Sequence, residues 1–305
     1  MNATQETIER LLFETGAIRV APEDRPFWST SGTLGPYYCN THFRFGGEPA
    51  AAELLALIDD ESQKDAGRQP PGCVLPAKIA ERVLGAAEDD ARFRAVADCI
   101  SAYLESHVDM ARVDFISGGE RRDWFFSFVA ASRFSLPHLT IYKDGRMVLG
   151  GAPPRGAGDT AVPVADGSLA GLRCLHVSDL ITEASSYVRA WAPAAARAGA
   201  RITTSLTIID RLQGGGAALA KLGIEHLAIA SIDAGLFDRA LAAGYVNERQ
   251  HALVLGYLSD PNAAMRAFLA EHPGFLRSAL DSGGKDAERA RLCIESRVYG
   301  SVTKI

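Results

Sequence analysis

The stretch from Leu169 to Gly215 constrains the fold more than any other part of the chain. Arg173–Val177 is apolar and β-prone, and the polar run Ser178-Asp179-Leu180-Ile181-Thr182-Glu183-Ala184-Ser185-Ser186 follows it directly. Helical periodicity then continues to Ala198, Gly199 stops it, and Arg201–Ile209 is again β-rich. A strand feeding a loop of hydroxylic residues at a helix start is suited to hold an anion, because backbone N–H groups and the helix dipole point at it. The same Thr182 and Ser185 serve equally well as ordinary helix caps.

The pattern of the rest follows from this unit. Residues 4–16 predict a helix with Thr4 as its cap, and the Gly/Pro-punctuated 26–47 predicts short strands. Helices are expected at Glu48–Asp60, Leu75–Gly85 and Asp89–His107, with Glu61–Gly72 a polar linker ending in Pro70-Pro71-Gly72. Strands at Arg112–Ser117, His138–Tyr142 and Glu225–Ala230 alternate with helices at Asp123–Phe134 and Gly215–Leu222, which predicts an α/β fold with a parallel sheet. Asp144-Gly145 between apolar flanks predicts a two-residue hairpin turn, and Gly150–Gly158 a loop. Beyond Asp233 the periodicity is helical throughout, at Leu236–Ala243, Arg249–Leu258, Ala263–Ala270 and Phe275–Leu280, with Pro261 and Pro273 near helix starts. The expected divisions are an N-terminal hood over 1–50, a helical insertion over 51–110, a core over 111–232 and a helical extension over 233–305.

Composition narrows the function classes. The 305 residues are 47% hydrophobic and 23% charged, as in an ordinary globular chain. A net charge of −5 argues against a general nucleic-acid or anionic-membrane binder. Cys39, Cys73, Cys99, Cys174 and Cys293 are scattered and odd in number, which argues against a disulfide framework or a zinc site. The first residues lack the basic region and apolar core of a secretory signal, so a cytoplasmic setting is expected. Six of the 32 basic residues are lysines, leaving a basic set dominated by arginine, whose fork suits phosphate.

Three blocks in order carry a family resemblance. Leu11-Leu12-Phe13-Glu14-Thr15-Gly16-Ala17 fits a Leu-Leu-x-x-x-Gly-Ala helix. Phe27, Ser31, Gly32, Pro36, Tyr37 and Tyr38 fit a Phe-x-x-x-Ser-Gly-x-x-x-Pro-Tyr-Tyr hairpin. Asp210-Arg211, then Gln213-Gly214-Gly215, fit the corner after the second core strand. With the Ser178–Ser186 loop between them, they resemble type I phosphoribosyltransferases, in particular orotate phosphoribosyltransferase.

The resemblance implies a sheet flanked by helices, with 5-phosphoribosyl-1-pyrophosphate (PRPP) as co-substrate, orotate or a related base as acceptor, and a place in pyrimidine biosynthesis. It implies a homodimer whose partners are small molecules, with no nucleic acid and no membrane. Gly118, Gly119, Arg121 and Arg122 would meet pyrophosphate, the glycines by close backbone approach and the arginines as clamps; a solvated helix start with Arg–Asp pairs is the plainer alternative. Lys143 would face the pyrophosphate side and Asp179 the ribose hydroxyls, these two forming the catalytic pair. Thr182, Ser185 and Ser186 would hold the 5-phosphate, and Arg211, Ser31 and Tyr37 the base. A Mg²⁺ ion would sit on Asp179 and Glu183. His138 and His176, in apolar strands, are expected in the core, and His42 is unassigned. The family loop Asp-Asp-x-x-Thr-x-Gly reads Ser178-Asp179-Leu180-Ile181-Thr182-Glu183-Ala184 here. Thr30 and Thr33 replace basic residues, and the mobile loop shortens to Tyr142–Arg146.

Overall fold

The computed structural model describes residues 3–153 and 160–300, so part of the Gly150–Gly158 loop lies outside the described residues. Helix α1 (Ala3–Glu14) precedes four short strands, β1 (Ile18–Val20), β2 (Phe27–Trp28), β3 (Leu34–Gly35) and β4 (Tyr37–Cys39), and a 3₁₀ turn at Thr41–Arg44. Helices α2 (Glu48–Ala66), α3 (Leu75–Asp89) and α4 (Ala91–His107) follow. Then come β5 (Phe115–Gly119), α5 (Trp124–Arg133), β6 (His138–Ile141), β7 (Met147–Gly150), β8 (Val162–Pro163) and β9 (Arg173–Ile181). A π-turn at Tyr187–Trp191 runs into α6 (Ala192–Arg197), ahead of β10 (Arg201–Asp210), α7 (Gly215–Lys221) and β11 (Glu225–Ser231). Helices α8 (Ala234–Ala242), α9 (Glu248–Ser259), α10 (Pro261–Glu271), α11 (Phe275–Ser282) and α12 (Gly284–Ser296) complete it. Among the described residues no helix is long and apolar enough to cross a membrane.

The chain divides into two compact units, Met1–Ala17 with Thr41–Ile232, and Ile18–Asn40 with Asp233–Ile305. The first holds a seven-stranded sheet in the order β11-β10-β9-β5-β6-β7-β8. Its first five strands are parallel, and β7 and β8 add antiparallel edges. From the central pair, β5 and β9, the chain proceeds outward in opposite directions, to β6 on one side and to β10 and β11 on the other. Their carboxyl ends therefore form the topological switch point, where open α/β sheets leave a crevice for ligands.

Local chemistry explains these elements. β9 is buried along almost its whole length, which fits a central parallel strand covered on both faces. Helix α5 is apolar all round (Trp124, Phe125, Phe126, Phe128, Val129) and fills the space between the sheet and helices α3 and α4. His138 and His176 are core residues, as their apolar strands predict, at 2% and 0% exposure. Helix α2 runs six residues further than its apolar periodicity predicts. Lys64 pairs with Asp60 (2.5 Å) and Glu61 (3.2 Å), and Lys78 from α3 also pairs with Glu61. Such i,i+3 and i,i+4 pairs favour helix over linker by a few tenths of a kcal/mol each.

The β6–β7 hairpin turns at Lys143-Asp144-Gly145, one residue longer than the two-residue turn expected. Gly145 N–H donates to the Tyr142 carbonyl (3.0 Å), and Tyr142 N–H to that of Arg146 (2.9 Å). Gly145 sits at φ +82°, the left-handed residue that ends a three-residue hairpin loop.

In the second unit β1 pairs with β4 and β2 with β3, both antiparallel. Leu34 from β3 shares a core with Met265, Phe268, Leu269, Leu276, Cys293 and Tyr299 from the helical tail, and Tyr299 Oη accepts the Leu34 N–H (2.7 Å). Gly32, the glycine of the hairpin motif, has φ +79°, and a Cβ there would lie 2.9 Å from the Arg289 carbonyl of α12. The motif glycine thus makes room for a helix of the expected extension whose own span the apolar periodicity does not mark. α12 is charge-rich; Ala287, Ala290 and Cys293 are buried and Ile294 packs partly against the core, so its periodicity is faint.

Candidate functional site

A cleft of about 320 Å³ opens at the switch point of the first unit. Glu120–Asp123 after β5, Lys143 after β6, and Ser178–Thr182, Ala184–Tyr187 and Trp191 along and after β9 line it. Three loops predicted to follow parallel strands thus meet at one edge of the sheet.

The loop after β9 keeps the shape its residue types suggest. Ala184 occupies the left-handed region (φ +57°) and is 4% exposed, so the chain turns there into a helical run although the residue carries a Cβ. Ser185 and Ser186 begin that run with exposed hydroxyls facing the cleft beside Thr182. Tyr187 Oη meets Ser205 Oγ (2.5 Å) and donates to Ser178 Oγ (3.1 Å), which also lies 2.9 Å from Thr207 Oγ1. A neutral, buried hydroxyl network therefore stands where the resembled loop carries its first carboxylate.

Asp123 organises the site, and nothing in its local sequence marks it. One carboxylate oxygen accepts the Gly119 N–H (3.1 Å) and the other the Asp179 N–H (3.1 Å), which ties the ends of β5 and β9 together. His176 Nε2, buried without a hydrogen-bond partner, lies 3.4 Å from it, while Nδ1 shares a 2.8 Å hydrogen bond with Ser117 Oγ. Asp179 accepts from the Thr41 hydroxyl (2.6 Å). Burial first, and then the Asp123 charge, hold the Asp179 carboxyl well above the ordinary carboxylate range, against the opposing pull of Thr41, Arg122 and Arg44. His42, unassigned from sequence, packs edge-on against Phe43 and Phe125. Burial, with Arg122 and Arg121 nearby, pushes its imidazole down to about 4, so it is neutral at pH 7.

The basic residues divide. Arg121, after a cis Glu120–Arg121 peptide, is held by Asp59 of α2. The Arg122 side chain is exposed and makes no hydrogen bond or ion pair among the described residues, and the Lys143 ammonium likewise has no ion pair. The Lys143 backbone N–H donates to Glu120 (2.9 Å).

Several expected residues stand elsewhere. Gly118 and Gly119 do not line the cleft. A Cβ on Gly118 would come within 2.2 Å of Ser127 Oγ, and one on Gly119 within 2.3 Å of the Trp191 ring. Their bareness admits α5 and an indole. Glu183 is exposed and outside the lining, so it is not brought into the cleft with Asp179. Among the described residues no three His, Cys, Asp or Glu side chains converge to hold a metal. Asp179 and Glu183, expected to carry Mg²⁺ together, are not brought together in the cleft to hold it.

Arg211 follows β10 at the same edge, its N–H on the Ile181 carbonyl (3.0 Å) and its Nε buried without a partner, but it does not line the cleft. Tyr37 and Ser31 belong to the second unit. Tyr37 is buried against Phe237 and Tyr257 (centroids 5.3 and 6.0 Å), and Ser31 is one of three clustered hydroxyls with Ser29 and Thr33.

The corner Asp210–Gly214 carries avoidable strain. Leu212 is left-handed (φ +56°) yet 58% exposed, and its N–H donates to Asp210 Oδ1 (2.7 Å). Leu212→Gly removes roughly 1–2 kcal/mol of strain and is offset in part by the freer unfolded chain, roughly 0.5–1 kcal/mol. A net gain of about 0.5–1 kcal/mol in urea unfolding is expected, and a loss would show that the side chain packs in solution.

Compared with solved structures, the chain aligns with UMP synthase from Leishmania donovani at a TM-score of 0.50 and 16% identity, over 85% of its own length. The likeness is one of fold. The chain spans 42% of that UMP synthase. Orotate phosphoribosyltransferases from Francisella tularensis and Aeropyrum pernix align at TM-scores of 0.45 and 0.42, with 14% and 18% identity. These alignments cover 81% and 76% of this chain and 95% and 98% of theirs. No protein-family model and no curated protein sequence matches the chain.

Proposed function

We propose that the protein is a phosphoribosyltransferase of the orotate type, binding PRPP in the cleft between β5 and β9 and passing the phosphoribosyl group to orotate or a related base with release of pyrophosphate. One observation carries the reading. A hydroxyl-lined loop, Thr182–Ser186, faces the unpaired cations Arg122 and Lys143 across a cleft at the switch point of this fold. Thr182, Ser185 and Ser186 take the 5-phosphate, Asp179 the ribose hydroxyls, and Arg122 and Lys143 the departing pyrophosphate. Arg211, with a buried donor to spare beside the loop, serves the base. Holding both reactants and stabilising the leaving group supply the rate enhancement. Calorimetry with PRPP, then a screen of bases for pyrophosphate release, tests this; no heat of binding would reject it.

A second reading is a protein that binds a phosphoribosyl compound or nucleotide without turnover. Two observations favour it, the neutral Ser178 network in place of a carboxylate and the capture of Arg121 by Asp59. Binding without pyrophosphate release from any base would select it.

Asp179→Asn is expected to weaken PRPP binding by about tenfold, the worth of one charged hydrogen bond. Glu183→Gln should change it less than about twofold, because Glu183 does not line the cleft. The reverse order in titrations would place the ribose on Glu183.

A further inference from the structure

We propose that this cleft binds its phosphorylated ligand without a divalent cation, the ligand's charge being met by Arg122 and Lys143; this rests on the cleft being the phosphoribosyl site. Mg²⁺ at a phosphate site is ordinarily held by one or two carboxylates together with the ligand's oxygens, at short distances and in near-octahedral geometry. The carboxylates here are committed otherwise. Both oxygens of Asp123 accept backbone N–H groups, and moving either would release a buried donor at the end of β5 or β9. An Asp179 oxygen accepts from the Thr41 hydroxyl. A Glu120 oxygen accepts the Lys143 N–H. At position 178 a serine is locked between Thr207 and Tyr187, and a neutral hydroxyl is a weak ligand for a hard cation.

The positive charge, by contrast, is available. Arg122 and Lys143 line the cleft from two different loops, and neither has an ion pair among the described residues. Two fixed cations offset much of the charge of a pyrophosphoryl group without an ion between, and the guanidinium offers a bidentate fork.

The experiment is calorimetric titration of the full chain with ribose 5-phosphate and with PRPP, each in excess Mg²⁺ and in excess EDTA. The dissociation constant of each ligand should agree within about twofold between the two buffers. Arg122→Gln and Lys143→Gln should each weaken PRPP binding about tenfold or more in EDTA, as loss of a charge-assisted contact predicts, and should affect ribose 5-phosphate, which lacks the pyrophosphate they face, less. Both side chains are exposed, so thermal unfolding should match the parent protein. Binding of both ligands that weakens tenfold or more in EDTA would overturn the inference and leave the site assignment standing. Unchanged affinity in both variants would also overturn it. No binding of either ligand in either buffer would remove the phosphoribosyl site itself, and this inference with it.

Discussion

Asp123→Ala is expected to lower stability by about 2–4 kcal/mol and to abolish ligand binding in the cleft. The substitution leaves two buried N–H groups, of Gly119 and Asp179, without their acceptor. An unsatisfied buried donor costs roughly 1–3 kcal/mol. Relief of the repulsion between Asp123 and Asp179 offsets part of this, and the Asp179 carboxyl should move back toward its ordinary range once its neighbour is gone. Asp123→Asn keeps one acceptor but turns an amide against the other N–H, so its loss should fall between those of wild type and alanine. Urea unfolding of the three proteins checks the order. A loss below about 1 kcal/mol for alanine would mean that water replaces the carboxylate and that β5 and β9 are tied by other contacts.

How far the sequence reveals this site depends on the distance over which each residue acts. The loop after β9 is legible because strand, hydroxyls and helix are adjacent in the chain. The same is true of the hairpin at Lys143–Gly145, where Asp144 and Gly145 announce a turn; the extra residue in its loop depends on the register Ile141↔Met147, which the local pattern does not fix. Asp123 is illegible because its partners belong to two strands that become neighbours only when the sheet forms. The pairing of Arg121 with Asp59 has the same cause, since it needs α2 laid beside the loop after β5. α12 is hidden differently. Its buried positions are alanine and cysteine, and the partly buried Ile294 is not enough to make them stand out from its charged residues. The Ser178 network shows a further limit. Serine at that position reads as a lost carboxylate, and only the packed structure shows Tyr187, Thr207 and Ser205 gathered around it.

Gly119→Ala separates two roles that one sequence feature permits. Paired glycines at a strand end allow either close approach of backbone to a phosphate or close approach of a side chain to backbone. The structure favours the second, because a Cβ at Gly119 would lie 2.3, 2.4 and 2.7 Å from atoms of the Trp191 indole. Trp191 is 4% exposed, within the core cluster that packs α6 against the sheet, and has little room to withdraw. Overpacking of this kind typically costs about 1–3 kcal/mol, and the upper part of that range is expected for a rigid ring. Because Trp191 also lines the cleft, its displacement should weaken ligand binding as well. The contact-specific test is a double-mutant cycle with Trp191→Leu, a smaller and more adaptable side chain. If the clash with the indole carries the cost, alanine at 119 should be at least about 1 kcal/mol less damaging in the leucine background, a coupling well above the scatter of independent sites. Equal damage in both backgrounds would show that the ring is not the obstacle. Normal stability with lost binding would return Gly119 to the ligand.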